Sequence, residues 1–195
     1  MTFRSRIETE DIEKLPLAYF KGDIIVIDKQ DESYYKAIEY LSLQKVIGFD
    51  TETKPCFVAR APKNKIALLQ LSSEDKAFIF RLQQLGLPAE LCSILSDPAI
   101  IKVGAAVRDD INGLNGYSHL EAYGFKDLQG LAEKFGIEEK SVRKMSAIIL
   151  GIRVSKSQQL SNWETSKLTE AQLNYAAIDA WVCRQMYVKL MSCNG

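Results

Sequence analysis

Residues 46–53, VIGFDTET, run from an apolar strand pattern straight into a pair of acids. The next apolar stretch, KIALLQLSSEDKAFIF at 65–80, holds two more strand-length runs, Ile66 to Leu71 and Ala77 to Phe80, on either side of a polar cluster. That cluster, Ser72-Ser73-Glu74-Asp75-Lys76, reads as a hairpin turn, so the two runs are predicted to be antiparallel neighbours. Working outward, Ile24 to Ile27 and Ile100 to Val103 have the same strand length and composition.

Helical patterns lie between and after these runs. They cover Tyr34 to Leu43 behind a possible Asp31 cap, Ala89 to Leu95, a segment near Asp109 to Leu114, Leu128 to Phe135 and Val142 to Leu150. The firmest runs from Glu170 to about Met191. Thr169 followed by Gln172 fits the T-x-x-Q capping box, and Leu173, Ala176, Ala177 and Ala180 supply a face to bury. Strands first, helices later, with some alternation, describe an α/β domain built on a mixed sheet. No repeat and no Gly-, Pro- or Ser-rich linker divides the chain. It is therefore treated as one domain over 1–195, with a polar leader over 1–20 and a core from about 21 to 192.

The 195 residues suffice for one hydrophobic core, and 47% apolar with 26% charged residues is a globular composition. Basic and acidic residues both number 25, so no global positive field marks a polyanion binder and any such site is local. Four cysteines at 56, 92, 183 and 193 fit neither a zinc pair nor a disulfide framework, which points to reduced thiols and an intracellular, cytoplasmic-type setting. There is no signal-peptide pattern and no run of membrane-spanning length, so no membrane partner is expected. A single histidine, His119, excludes chemistry built on several imidazoles and is expected in a surface turn. GxSxG, P-loop and GxGxxG motifs are absent, which leaves carboxylates to carry the chemistry.

Three acidic stretches stand out. In a strand, side chains repeat every second residue, so Asp50 and Glu52 share a face and their oxygens can converge. Two bare carboxylates side by side are costly unless something positive sits between them, and a hard divalent cation meets that need. The second stretch is Asp109-Asp110. The third is Tyr175 and Asp179, whose four-residue spacing puts hydroxyl and carboxylate on one helix face, beside alanines that leave room for a neighbour. Each alone is ordinary: a solvated strand end, a helix cap, a structural tyrosine.

Taken in order, the segments IGFDTET, KIALLQLSS, IKVGAAVRDDINGL and SNWETSKLTEAQLNYAAIDAWV resemble the DEDD superfamily of 3′ to 5′ exonucleases, in the tyrosine subclass that includes ribonuclease D and Werner-type exonuclease domains. The resemblance spans residues 46 to 182. The position where the histidine subclass carries histidine is Asn174. The resemblance implies a ribonuclease H-like fold, a mixed sheet flanked by helices, whose acids hold two Mg²⁺ or Mn²⁺ ions. Asp50, Glu52 and Asp179 would ligate one ion, with Asp50 also reaching the second. Asp110 would hold that second ion, and Tyr175 would orient the attacking water. Aligning Gly104 with the family's glycine gives the metal role to Asp110 and leaves Asp109 as the helix cap.

The implied reaction is hydrolysis of phosphodiester bonds at nucleic-acid 3′ ends with release of nucleoside 5′-monophosphates. The alternative is an inactive nucleic-acid-binding or interaction module on the same fold. Local positive charge is available in two acid-free stretches, one with Lys54, Arg60, Lys63 and Lys65, the other with Lys140, Arg143, Lys144, Arg153 and Lys156. Thr51, Phe57 and Lys156 are the expected substrate contacts, DNA and RNA being equally open. Trp163 is expected to be buried.

Overall fold

The computed structural model describes residues 2–58 and 64–193. Its elements are α1 (Thr9–Glu13), β1 (Asp23–Ile27), α2 (Glu32–Ser42), β2 (Val46–Thr53), β3 (Ile66–Ser72), β4 (Lys76–Arg81) and α3 (Leu82–Leu85). There follow α4 (Ala89–Ser96), β5 (Ile101–Gly104), α5 (Val107–Leu114), β6 (Phe125–Asp127), α6 (Leu128–Glu133), α7 (Val142–Leu150) and α8 (Glu170–Ser192). The six strands form one mixed sheet in the order β1-β4-β3-β2-β5-β6. The β3–β4 and β3–β2 pairs are antiparallel, and the β1–β4, β2–β5 and β5–β6 pairs are parallel.

The expected hairpin is present. The backbone N–H of Ser73 donates to the Lys76 carbonyl at 2.8 Å, and the Ser73 hydroxyl binds Asp75 at 2.9 Å. Every residue of β3 is buried, which follows from its central place with both faces covered. One face carries the larger core, with Phe49, Leu69, Leu71, Phe78 and Phe80 packed against α2, α4 and α5. The other face is covered by α8, which lies across β2, β3, β4 and β5.

α8 starts where its sequence says it should. Thr169 accepts from the Gln172 N–H at 3.2 Å, and the Gln172 side chain accepts from the Thr169 N–H at 3.0 Å. The helix seats closely on the sheet because Gly48 has no side chain: a Cβ there would lie 1.8 Å from the Ala180 carbonyl oxygen. A methyl group at this point would lift α8 away from β2. The glycine thus fixes how near the middle of α8 comes to the acids that follow on the same strand.

The structure adds elements that no pattern announced. β6 is three residues long, too short for a hydrophobic period, and exists by pairing with β5. Within the leader, α1 buries Ile12, which packs with Ile7 and Ala147. Ala18 donates its N–H to the Arg153 carbonyl at 2.8 Å, and Arg153 returns a bond to the Pro16 carbonyl at 2.8 Å. The leader is therefore laced to the segment that links α7 and α8. Cys56, Cys92 and Cys183 are free thiols. Among the described residues no helix is long and apolar enough to cross a membrane.

Candidate active site

Strand alternation on β2 sends Gly48, Asp50 and Glu52 toward α8, and Phe49 and Thr51 toward the opposite face. Asp179 is presented by α8, three residues beyond Ala176 and next to Ala180, on the turn that Gly48 admits. Oxygens of Asp50, Glu52 and Asp179 consequently lie within 4.8 Å of one another. Asp110 approaches from α5 and is tied to the same strand: the Thr51 hydroxyl donates to its carboxylate at 2.5 Å. Thr51, expected as a substrate contact, has its hydroxyl engaged by Asp110.

None of Asp50, Glu52, Asp110 and Asp179 has a Lys or Arg within ion-pair distance among the described residues. Their ionisation shows the result. Burial, followed by repulsion from Asp179, Glu52 and Asp110, holds Asp50 well above the ordinary carboxylate range. Glu52 is pushed up to about 9, first by burial and then by Asp179 and Asp110. Asp110 rises to about 6 through burial, with the Thr51 bond pulling the other way. Asp179 is raised by burial and eased by a hydrogen bond from Tyr175. Oxygen-only donors, clustered, half-buried and lacking a basic partner among the described residues, are a donor set that suits a hard divalent ion.

Tyr175 stands one helical turn before Asp179, and its ring rests against the fully buried Trp163 with centroids 5.8 Å apart. Burial and the neighbouring Asp179, Glu52 and Asp50 charges raise the phenol above its usual value, so it is protonated at neutral pH. Trp163 is itself held by a tethered loop. Arg81 donates to the Ser166 carbonyl at 2.6 Å and also to that of Thr165, and Gln172 donates to the Asn162 carbonyl at 3.2 Å. The loop and the capping box of α8 thus share one residue, Gln172.

The helix cap assignment needs correction. α5 begins at Val107, with Ala106 as its cap residue in the left-handed region at φ 58°, so Asp109 is already inside the first turn and exposed. The chain leaves β5 in a tight bend, because Gly104 lies so near Phe49 that a Cβ would come within 2.7 Å of its carbonyl oxygen. Asp110, one residue on from Asp109, is the half-buried member of the pair that meets Thr51.

The acid-free basic stretches find acids from elsewhere in the chain. Lys54 pairs with Glu164 at 3.1 Å, Lys140 with Glu133 at 3.0 Å and Lys144 with Glu139 at 2.9 Å. Arg143 and Arg153 converge on Glu13 of α1. Lys156 has no ion pair among the described residues, and it lines a depression of about 230 Å³ together with Arg143, Ser155, Gln159, Tyr175 and Asp179. A second depression of about 760 Å³ lies on the other side of β2, with Thr51, Lys54, Asn64, Lys65 and Asp110 in its wall. Phe57 is 81% exposed and lines neither depression; Arg60 and Lys63 lie outside the described residues. His119 is exposed and stands apart from both.

Residues 24–193 match the family described as 3′-5′ exonuclease. The chain is 35% identical over 150 residues to exonuclease 3′-5′ domain-containing protein 2 of Drosophila melanogaster, covering 75% of this chain and 25% of that protein. It is 29% identical over 178 residues to ribonuclease D of Gluconacetobacter diazotrophicus, covering 89% of this chain and 44% of that one. Among solved structures, Escherichia coli ribonuclease D superposes with a TM-score of 0.77 at 26% identity, over 87% of this chain and 44% of that chain. The exonuclease domain of Aedes aegypti Nibbler gives 0.76 at 24% identity, over 90% and 91% respectively. The mixed six-stranded sheet with helices on both faces is the ribonuclease H-like fold of these neighbours. The chain belongs to the 3′-5′ exonuclease family.

Proposed function

We propose that this chain is an active, metal-dependent 3′-5′ exonuclease that cleaves the terminal phosphodiester of a nucleic-acid 3′ end and releases a nucleoside 5′-monophosphate. The observation that carries the reading is the group Asp50, Glu52 and Asp179, with oxygens within 4.8 Å and no basic partner among the described residues, beside a protonated Tyr175. Asp50, Glu52 and Asp179 would hold one Mg²⁺ or Mn²⁺, and Asp50 with Asp110 a second. Such a pair of ions supplies a hydroxide-like nucleophile and neutralises charge on the leaving oxygen.

The protein's own groups do the positioning. Tyr175 donates a hydrogen bond that orients the attacking water, and its raised pKa keeps it protonated and so unavailable as a base, which fits a positioning role. Trp163 fixes the ring from behind. Lys156, with no ion pair among the described residues, meets the backbone phosphate, and Arg143 joins it if phosphate displaces Glu13. Phe57, exposed on the segment after β2, stacks on a base. Contacts to phosphate and to base faces give weak sequence preference. We read the core from about residue 21 to 192 as one exonuclease unit on these grounds.

The test is a degradation assay with Mn²⁺ on 5′-end-labelled strands, run on matched DNA and RNA in single-stranded and recessed-duplex forms. Stepwise shortening from the 3′ end that stops with chelator supports the proposal. Binding without shortening on all four substrates would make the chain an inactive module and refute it.

A further inference from the structure

Gln70 is the polar exception in the apolar run of β3. It is 1% exposed, and neither its carboxamide nitrogen nor its oxygen has a hydrogen-bond partner. A buried amide with both ends unpaired is disfavoured in a folded protein, so its retention asks for a partner in another state of the molecule. Strand register says where that partner is. Gln70 stands directly opposite Asp50 on β2 and opposite Ile79 on β4. Residues directly opposed in an antiparallel pair share a face, so Gln70 and Asp50 are side-by-side under α8.

Its neighbours along β3 and on the overlying part of α8 offer no free acceptor. On that face of β3, Leu68 is apolar, and the Ser72 hydroxyl is already spent on the carbonyls of Ser73 and Lys76. The part of α8 packed over β3 and β4 presents Ala176 and Ala177. Asp50 is the carboxylate directly across the strand pair from Gln70.

We propose that Gln70 is a positioning residue for the metal site: its carboxamide N–H donates to the Asp50 carboxylate when that carboxylate turns to bind a divalent ion. The bond holds one oxygen of Asp50 against β3 and aims the other into the cluster with Glu52 and Asp179. The inference rests on the metal-site reading of these carboxylates and concerns ion affinity, so it does not require that the chain be catalytically active. Outer partners of this kind are worth about 10- to 100-fold in metal affinity.

The test is a Mn²⁺ titration of the full chain by calorimetry, with metal-free melting temperature measured alongside, for wild type, Gln70→Met and Gln70→Asn. Met fills the same volume without polar atoms. It is expected to melt no lower than wild type when metal-free and to bind Mn²⁺ about tenfold or more weakly. Asn keeps the amide one methylene short of Asp50 and is expected to bind Mn²⁺ more weakly than wild type. Wild-type Mn²⁺ affinity in either variant would overturn the inference. So would a parallel loss of metal-free stability and of affinity in both, which would make Gln70 a packing residue. If the wild-type chain itself takes up no Mn²⁺, the reading of the carboxylates fails first and the inference falls with it. Tight uptake by wild type with equally tight uptake by Gln70→Met removes the inference alone.

Discussion

Glu52 and Glu164 are glutamates near the same end of the sheet, and their surroundings are opposite. Glu164 accepts from Lys54 at 3.1 Å and from Gln83 at 2.7 Å, and these bonds hold its carboxyl below the usual range. Glu52, two residues before Lys54 in the chain, faces Asp50 and Asp179 with no basic partner among the described residues, and its carboxyl is pushed up to about 9. One acid is finished by the fold. The other is left without a basic partner among the described residues, together with three more carboxylates. Among the described residues a lysine meets one glutamate and none meets its neighbour, and on the proposed reading a divalent ion fills that second place.

The hardest blow to that contrast is Asp50→Asn. It removes the carboxylate common to both proposed ions, and degradation is expected to fall by about a thousandfold, while the metal-free protein should melt higher because the fold no longer has to hold this buried acid far above its ordinary range. Retained Mn²⁺-dependent shortening in a ladder assay would contradict the assignment. Next in size is Tyr175→Phe, expected to lower turnover by about tenfold to a hundredfold and to leave Mn²⁺ affinity near wild type by calorimetry. A loss of metal binding would show that the hydroxyl serves the ions and not the water.

The pH dependence of the metal-free protein sharpens the comparison further. Glu52 has a folded pKa raised to about 9 from an ordinary 4.5, so its protonated form is the one the fold prefers. Its contribution to stability is complete below about 4.5 and is lost as pH rises toward 9. Asp110, raised to about 6 from 3.8, acts in the same direction over a lower window. Melting in chelator is therefore expected to fall from pH 5 to pH 9, and added Mn²⁺ should restore most of the loss at the high end. A metal-free melting temperature that rises across this range would break the account of the cluster. The smallest effect belongs to the satisfied acid: Glu164→Gln should cost about 0.2–1 kcal/mol by urea denaturation, as expected for a partly exposed pair.

What could be read from residue order is what local geometry controls. The period of a strand puts Asp50 and Glu52 on one face, the pitch of a helix puts Tyr175 near Asp179, and a capping box starts α8 at Thr169. Distant pairings are beyond that reach. Arg143 and Arg153 sit in a stretch without acids, yet both bind Glu13, 130 and 140 residues away. Gln70 looks like a break in an apolar run and gains meaning only from its register against Asp50. α5 starts at Val107, two residues ahead of the segment near Asp109 that the residues suggest, because its cap residue is an alanine in a left-handed conformation, which carries none of the usual N-cap chemistry.

The most direct measurement is anomalous diffraction at the manganese edge from crystals of the full chain soaked with Mn²⁺ and a nucleoside 5′-monophosphate. Two peaks are expected, one among Asp50, Glu52 and Asp179 and a second between Asp50 and Asp110, with the Tyr175 hydroxyl turned toward the nucleotide phosphate. Crystals that hold the nucleotide but show no manganese among these carboxylates would contradict the central claim.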